Sequence, residues 1–312
     1  MRVLVTGASG CLGRAAVREL TARGHCVRGT ARSGARGESA HEWVTGELAA
    51  LDLAALSAGC DAVVHLAALV HSPAIKLESA YLDVNARLTS LLLAAARPAP
   101  GAFVLASTVG VYGVEEGDRL DEASPVAPKT PYARSKLAAE HAVLERGGTV
   151  LRLPVAYGPG DRGNVARLTR ALARGRFVLP GAGSARRSLV SAENAARALA
   201  DAVAAAVGGV FLVTDDDDLT LAELVQTISD ALGVAPPLRA PVAILDALAW
   251  LGSASATLGV PAPLTRQALH KLTRTLTFDC TKSKRLLGYR PRPSRPALAA
   301  AALEAIGHRG PR

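Results

Sequence analysis

The sequence predicts an α/β protein with a doubly wound parallel sheet and a smaller, discontinuous C-terminal lobe for the substrate. Over residues 1 to about 155, short aliphatic or β-branched runs alternate with longer helical patterns. This alternation is typical of parallel strands joined by crossover helices. After Pro154 the pattern loosens into the turn-rich segments around Gly158 and Gly181, so we expect the second lobe to begin there.

The candidate strands are short apolar runs bounded by Gly, Pro or Asp. They are Val3 to Thr6, Val27 to Ala31, Trp43 to Thr45, Ala62 to Leu66, Ala102 to Ala106 and Val150 to Leu153. An Ala-rich helix is predicted from Ser191 to Val207, and the run Val210 to Val213 should return to the sheet. We therefore assign residues 1–155 and 187–213 to the sheet domain and residues 156–186 and 214–312 to the lobe.

The late part of the chain gives weaker signals. Asp215 to Asp218 is interpreted as a solvated loop between the lobes, and Thr220 with Glu223 predicts a capping box that opens a helix. Pro241 to Leu251 is predicted as an amphipathic helix, too short to span a membrane. The Pro-rich end from Pro291 predicts a fraying tail. Trp43 and Trp250 are most simply core or lobe-packing residues.

Composition limits the classes of partner. The 312 residues carry 36 Lys and Arg against 27 Asp and Glu, a net charge of +9. Phosphate-bearing small molecules suit that charge, whereas the arginines from Arg167 to Arg176 have helical spacing without interleaved aromatics, so no nucleic acid is expected. The four cysteines form no CxxC pair, and His65 and His71 lack a carboxylate pattern, so no metal is expected. Without a leader or a membrane span, we expect a cytoplasmic protein.

A glycine-rich turn follows the first strand. The segment Thr6 to Gly13 reads TGASGCLG and opens the first helix, with glycines at Gly7, Gly10 and Gly13. A dinucleotide pyrophosphate must approach backbone amides at a helix N-terminus, where a Cβ would obstruct it. The alternative, a turn that merely packs helix on strand, has lower weight because a strand precedes this turn and a helix follows it. The segment predicts nucleotide binding.

The side chains at the end of the second strand determine whether NAD or NADP is preferred. An acid there accepts from the ribose 2′-hydroxyl of NAD, whereas the segment Gly29 to Ser33 has no carboxylate and contains Arg32. A guanidinium can pair with the 2′-phosphate, so NADP is preferred over NAD, unless Arg32 is simply a solvated residue. Glu47 and Leu48, after the third strand, are placed to meet the adenine.

Tyr132 and Lys136 form a candidate proton-transfer pair. Thr130 can cap a helix and Pro131 suits its first turn, so the two residues share one helix face. We expect the ammonium to favour the phenolate and to lower the tyrosine pKa from about 10. Tyr-x-x-x-Lys is also common by chance as a surface pair.

The fifth strand supplies candidate hydroxyls. Its end, with Ser107 and Thr108, lies at the carboxyl edge of the sheet, where ligands of open α/β sheets bind. Thr108 is a candidate hydrogen-bond donor to the substrate oxygen. The alternative is that the hydroxyl of a strand-end residue only forms hydrogen bonds with nearby backbone groups. This alternative has more weight for Ser107 than for Thr108.

Taken in this order, the glycine turn, the Ser-Thr strand end and the Tyr132/Lys136 pair resemble the extended short-chain dehydrogenase/reductase family, whose sheet is a Rossmann fold. His65 to Ala68 is similar to the family's fourth-strand end, and Asn85 matches an Asn on its next helix. Arg152 to Pro159 and Arg186 to Ser191 are similar to segments that lead to a nucleotide-sugar pocket. The resemblance covers residues 1 to about 213 well and is patchy afterwards.

The resemblance implies a set of site residues. For the cofactor they are Gly7, Ser9, Gly10, Cys11, Leu12, Gly13, Arg32, Glu47, Leu48, Leu66, Ala67, Ala68, Asn85, Ala106, Tyr132, Lys136 and Pro154. For the substrate they are Ser107, Thr108, Tyr157, Asn164 and Arg187, and the catalytic set is Tyr132, Lys136 and Thr108. It also implies a homodimer that pairs two central-sheet helices from each subunit.

The chain looks most like UDP-glucose 4-epimerase-like and nucleotide-sugar 4-ketoreductase enzymes. This implies hydride transfer at a secondary alcohol or ketone carbon, first of all C4 of a nucleotide sugar. Family dehydratases carry Asp-Glu where this chain has Val109 and Gly110, which disfavours dehydration. Two alternatives stay open: a reductase of an apolar, steroid-like or phenolic ketone, and a non-catalytic NADP-binding regulator.

Overall fold

The computed structural model describes residues 1–33, 40–70, 77–97, 99–257 and 265–307, and for residues 251–257 it describes the backbone alone. His71 and part of the apolar stretch from Pro241 to Leu264 lie outside these ranges. The strands, in chain order, are β1 (Arg2–Thr6), β2 (Cys26–Ala31), β3 (Glu42–Thr45), β4 (Ala62–His65), β5 (Phe103–Thr108), β6 (Gly117–Leu120), β7 (Thr149–Leu153), β8 (Val155–Tyr157), β9 (Leu179–Pro180), β10 (Arg186–Arg187), β11 (Leu189–Ser191), β12 (Gly209–Leu212), β13 (Leu219–Thr220), β14 (Arg239–Ala240) and β15 (Leu276–Phe278).

The helices are α1 (Cys11–Ala22), α2 (Leu53–Ser57), α3 (Glu78–Tyr81), α4 (Leu88–Ala96), α5 (Pro131–Glu145), α6 (Asn164–Ala173), α7 (Ala192–Ala205), α8 (Leu221–Leu232), α9 (Val242–Thr257), α10 (Arg266–Thr273), α11 (Thr281–Leu286) and α12 (Ser294–Gly307). A π-helical stretch (Leu82–Arg87) joins α3 to α4, and short 3-10 turns cover Leu48–Ala50 and Val109–Tyr112.

Seven strands form one parallel sheet, in the order β12-β7-β5-β4-β1-β2-β3. The strand order reverses between β1 and β4, and the crevice at such a reversal is where open α/β sheets bind ligands. Each strand predicted from the sequence is present, with its ends shifted by at most two residues. β12 returns to the sheet beside β7, as its apolar run predicts. The fold is therefore the doubly wound Rossmann type.

Both faces of the sheet are covered by helices. On one face, α1 and α7 pack together through small and aliphatic side chains, among them Ala16, Leu20 and Leu199. On the other face, α4 and α5 bury Leu92 and Val143 against the sheet. Since the strands are buried on both sides, they have continuous apolar sequences, which is typical of parallel sheets.

A second hydrophobic cluster lies beyond the carboxyl edge of the sheet. It joins α6, α8 and α12 through buried residues that include Leu172, Ile228 and Leu298. A four-stranded sheet, ordered β13-β10-β15-β6, joins β6 from the first half of the chain to three later strands. This cluster draws on segments far apart in sequence, which is the arrangement expected of a discontinuous lobe. The residue boundaries drawn above remain predictions.

The acidic run is a loop, as predicted, but only Asp216 of its four residues is exposed. Asp215 is buried, with only 4% of its surface exposed, and accepts hydrogen bonds from the Tyr157 hydroxyl and the Ser191 amide. Asp217 accepts from Ser294, and Asp218 accepts from Ser188. Four consecutive carboxylates had suggested solvation, but each one has a donor from a different part of the chain.

Two further expectations about the C-terminal part were wrong. Residues 294–307, predicted as part of a fraying tail, form α12, because Leu298 and Ala302 pack into the second cluster. Trp250 is 60% exposed on α9, so it is not a packing residue within this chain. The capping box is confirmed, since Thr220 and Glu223 exchange hydrogen bonds at the start of α8. Within the described ranges, no helix combines the length and apolarity that a membrane crossing requires.

Candidate active site

The glycine turn forms a tight cradle at the start of α1. Gly7 has φ +68°, and a Cβ there would lie 2.8 Å from the Ala67 amide nitrogen. A Cβ at Gly13 would lie 2.2 Å from the Gly7 carbonyl oxygen, so this glycine lets helix and turn pack closely. Both positions exclude any larger residue.

The N-terminus of α1 has open donors. Gly10 is its N-cap and supplies no side chain to the first amides, and the first turn holds no acidic residue. Such an end favours an anion through its amides and the helix dipole. The residues present therefore fit the pyrophosphate of a dinucleotide, with Ser9, Cys11 and Leu12 beside it. Burial raises the pKa of the Cys11 thiol to about 11, which keeps it protonated.

The residues predicted near the adenosine half have different surroundings. Arg32 is exposed just beyond the end of β2, where a side chain can reach an anion. Glu47 is exposed after β3, whereas the Leu48 side chain is buried in the cluster with Leu92. Leu48 can therefore meet a nucleotide only through its backbone.

His65 is buried at the end of β4 within a chain of hydrogen bonds. Its Nδ1 lies 2.7 Å from Thr6 Oγ1, and its Nε2 lies 3.0 Å from Thr89 Oγ1. Since the Thr89 hydroxyl donates to the Asn85 carbonyl, it must accept from Nε2, which leaves Nδ1 to accept from Thr6. Burial lowers the pKa of His65 to about 3, and the charge of Lys136 adds to this. The imidazole is neutral and structural.

Asn85 fixes the loop after β4. Its amide oxygen accepts from the Leu69 amide at 2.7 Å, and its amide nitrogen donates to the Leu69 carbonyl and to Ser135 Oγ. It thereby ties the loop that contains Leu66, Ala67 and Ala68 to α5. The structure thus gives Asn85 a positioning role beside the cradle.

The end of β5 lies against the start of α5. A Cβ added at Gly110 would lie 3.3 Å from Thr108 Oγ1 and 3.7 Å from Ala133 Cβ, so the strand end and the residue after Tyr132 are neighbours. Thr130 caps α5 by accepting from the Ala133 amide, with Pro131 in its first turn. Thr108 Oγ1 accepts from the Gly110 amide, which leaves its proton available to a substrate oxygen. The predicted catalytic elements are adjacent.

The expected acidification of Tyr132 is wrong. Burial raises the pKa of the Tyr132 phenol to about 12. The same cause lowers the pKa of Lys136 to about 8, because a buried ammonium loses its hydration. Lys136 is 2% exposed, and no hydrogen bond links its ammonium to another described residue. A buried ammonium of this kind fits a site in which the hydroxyls of a bound ligand accept its hydrogen bonds.

Ser107 lies away from the substrate position predicted for it. Its hydroxyl donates to Glu140, which forms a buried ion pair with Arg152. Side chains alternate along a strand, so Ala106 and Thr108 face away from this pair. Glu140 was not among the predicted site residues, although its place one turn after Lys136 on the same helix was a usable signal.

The residues predicted to bind the substrate do not all converge. The Tyr157 hydroxyl is buried and donates to Asp215, whereas the residue itself lines a cavity together with Val165 and Ala301. Asn164 is exposed at the start of α6, where it accepts from Arg167. Arg187 donates to the Lys271 carbonyl, and burial lowers its pKa. Pro154 lies half-buried between β7 and β8.

The described residues include no group of three His, Cys, Asp or Glu side chains able to hold a metal.

Comparison with known proteins agrees with this geometry. The family model described as NAD dependent epimerase/dehydratase family matches residues 3–213. A curated relative from Stigmatella aurantiaca, 4-hydroxy-2-methyl-3-oxo-4-farnesyl-3,4-dihydroquinoline-1-oxide ketoreductase, is 31% identical over 93% of this chain and 92% of its own length. Another, N-acetyl-alpha-D-glucosaminyl-diphospho-ditrans,octacis-undecaprenol 4-epimerase from Escherichia coli O157:H7, is 31% identical over 72% of this chain and 71% of its own.

A solved structure shows the same overall fold. MoeE5 in complex with UDP-glucose and NAD superposes with a TM-score of 0.76 and 26% identity, covering 98% of this chain and 99% of that one. The family match spans the cradle, the β5 end and the Tyr132/Lys136 pair together. The chain is therefore an enzyme of the NAD-dependent epimerase/dehydratase family, the extended type of short-chain dehydrogenase/reductase.

Proposed function

We propose that this enzyme transfers a hydride at a secondary alcohol or ketone carbon, first of all C4 of a nucleotide sugar, by epimerisation or 4-keto reduction. The observation that carries the proposal is the adjacency of the Thr108 strand end and the Tyr132/Lys136 helix face at the edge of the sheet. A reaction that moves a hydride at carbon must also move a proton at its oxygen. These residues can supply that proton.

The cofactor is held by the cradle and by α5. The amides of Cys11 and Leu12 would receive the pyrophosphate, because the Gly10 amide already donates to the Gly7 carbonyl, and Lys136 would donate to the ribose hydroxyls. A bound nicotinamide supplies or accepts the hydride at its C4. NADP is the preferred form, because Arg32 stands at the end of β2 without a carboxylate beside it.

Tyr132 moves the proton and Thr108 orients the oxygen. In ketone reduction the phenol gives its proton to the carbonyl oxygen as the carbon gains hydride, and solvent returns a proton to the phenolate. The Lys136 ammonium stabilises that phenolate. The raised pKa of Tyr132 keeps the phenol protonated and ready for this direction. Val109 and Gly110 offer no acid or base for water loss, which disfavours dehydration.

The nucleotide-sugar assignment rests on the substrate side of the cleft. Two residues offer donors for a diphosphate: Arg187, on β10, and Asn164, at the start of α6. A structural relative was solved with UDP-glucose, and a curated relative is named as a 4-epimerase. Purified enzyme should be assayed with UDP-glucose and UDP-N-acetylglucosamine for conversion without net redox. A matching 4-keto sugar with NADPH tests reduction, and no turnover in either assay would reject the assignment.

A second candidate is reduction of an apolar ketone. The α9 region exposes Ile244, Leu248 and Trp250, and the relative from Stigmatella aurantiaca is named as a ketoreductase of a farnesylated quinoline. Consumption of NADPH with an aryl or prenyl ketone, but not with a 4-keto sugar, would select this candidate. The alternative of a non-catalytic regulator has less support, since family membership and the buried Lys136 both favour an enzyme.

We further propose a homodimer through the helices of the central sheet. The stretch from Leu82 to Leu91 exposes Leu82, Val84 and Leu91, and Leu91 is half exposed although it is apolar. Exposed apolar side chains of this kind suit burial against a second copy. Light scattering after size exclusion tests this, because a 32.0 kDa mass would contradict it.

A further inference from the structure

A connected polar group lies buried behind the proton-transfer pair. Glu140 is fully buried on α5, one turn beyond Lys136 and two turns beyond Tyr132. Its carboxylate accepts from Ser107 Oγ on β5. It also pairs with Arg152 on β7, with 2.7 Å between Arg152 Nη2 and Glu140 Oε2. One carboxylate thus joins the catalytic helix to two neighbouring strands.

The environment of Arg152 holds this carboxylate in place. The guanidinium carbon lies 4.9 Å from the centre of the Tyr112 ring, and Arg152 Nε also donates to Glu140. Arg152 Nη1 is buried and has no hydrogen-bond partner among the residues that the structure describes. Because a buried cation must be compensated, Arg152 needs Glu140 to stay ionised. The Glu140 carboxylate therefore stays ionised at a fixed position one turn from Lys136.

We infer that Glu140 is a positioning residue for proton transfer: its carboxylate keeps the buried Lys136 ammonium charged and anchors the β5 end against α5. The inference rests on the function proposed above, because that function requires a charged Lys136 beside Tyr132. Ser107, which the carboxylate holds, directly precedes Thr108. The same contact therefore fixes the strand end that carries the substrate donor.

The charges around Lys136 support this role. Burial lowers the pKa of Lys136, and the carboxylate of Glu140 opposes that effect. The other titratable group that interacts with the ammonium is His65 on β4, whose lowered pKa keeps it neutral near pH 7. Among the described residues, no other carboxylate acts on the pKa of Lys136. Removal of the Glu140 charge should therefore release the proton of Lys136 at lower pH.

The first test measures that proton directly. Glu140→Gln keeps the shape of the side chain, and Glu145→Gln, exposed at the end of the same helix, is the matched control. In protein with ¹⁵N-labelled lysine, the side-chain resonance of Lys136 is assigned through Lys136→Met, since the chain has only six lysines. We expect Glu140→Gln to lower the titration midpoint by about 1 pH unit or more and the control to leave it unchanged. An unchanged midpoint in Glu140→Gln would overturn the inference.

A second variant separates charge from folding. Glu140→Gln alone leaves Arg152 buried and unpaired, so its Tm should fall. The double variant with Arg152→Met removes both charges and should regain part of that Tm while its Lys136 midpoint stays low. A midpoint that returns to the wild-type value in the double variant would show that Glu140 acts only through Arg152, against the inference.

Kinetics connect the effect to the reaction. In the carbonyl-reduction direction, the alkaline limb of kcat/KM should move to lower pH in Glu140→Gln and stay in place in Glu145→Gln. A purely structural defect would lower kcat at every pH without moving the limb. If the Lys136 midpoint shifts but the limb does not, the electrostatic contact stands and the proposed function of Lys136 fails.

Discussion

Tyr132 and Lys136 lie one turn apart on α5, and burial acts on both in favour of the neutral form. It raises the pKa of the Tyr132 phenol to about 12 and lowers that of the Lys136 ammonium to about 8. At pH 7 the pair therefore consists of a protonated phenol and a largely protonated amine. In this state the phenol can give its proton to a carbonyl oxygen. The reverse direction requires the phenolate, which needs a further positive charge beside it.

Tyr132→Phe should remove turnover and keep the cofactor. The phenol is the proton donor, and loss of a positioned acid or base costs about 10²- to 10⁴-fold in rate. The ring and the Lys136 side chain remain, so NADPH binding measured by fluorescence titration should change little. Residual activity above a tenth of the wild type would contradict the assignment of this residue.

Gly7→Ala should destabilise the protein and abolish dinucleotide binding. The new Cβ would be 2.8 Å from the Ala67 amide nitrogen at a residue with φ +68°. Gly24→Ala is the matched control, because Gly24 has φ +80° but nothing within 4 Å of a Cβ. Both variants carry the left-handed penalty of about 1–2 kcal/mol. Thermal unfolding with and without NADPH distinguishes them, and equal losses in the two variants would argue against a close-packed cradle.

Arg32→Ala should weaken NADPH binding and leave NADH binding unchanged. The exposed guanidinium is the group proposed to pair with the 2′-phosphate, and charge-assisted hydrogen bonds of this kind contribute about 1.5–3 kcal/mol. That corresponds to roughly a 10- to 150-fold rise in Kd for NADPH, measured by calorimetry. A parallel loss of affinity for both dinucleotides would contradict the preference for NADP.

His65 should make folding sensitive to acid. Its folded pKa of about 3 lies below the ordinary value of 6.5, so its contribution is complete above pH 6.5 and is lost as the pH falls toward 3. The slope from this one proton is about 1.4 kcal/mol per pH unit. Urea unfolding of His65→Gln should show a shallower pH dependence than the wild type. His141→Gln, at an exposed position, should keep the wild-type slope.

Local patterns were sufficient to predict the main sheet and the elements of the site. The glycine turn, the cap at Thr130 and the spacing of Tyr132 and Lys136 all depend on residues close in sequence, and the structure has the predicted elements there. The pKa of Tyr132 was not predictable in this way, because burial by distant segments exceeds the attraction of one ammonium. The same holds for Ser107, whose partner Glu140 is 33 residues away.

The errors concentrate where side chains meet partners far along the chain. Asp215 to Asp218 are polar neighbours in sequence, but their donors come from β8, α7, α11 and α12. The region after Pro291 is rich in proline, yet its residues 294–307 fold as α12 because the lobe offers them an apolar surface. No short window of sequence contains that information.

The acidic run also determines how the chain can be divided. Residues 3–213 match the family model, but a fragment cut at residue 213 would lose the acceptor of the Tyr157 hydroxyl and the partner of Asn194. The Tyr157 hydroxyl and the Asn194 amide would then be buried without these partners. Expression trials, swaps between relatives and split-protein designs should therefore keep β8, α7 and Asp215 to Asp218 on one polypeptide with α12.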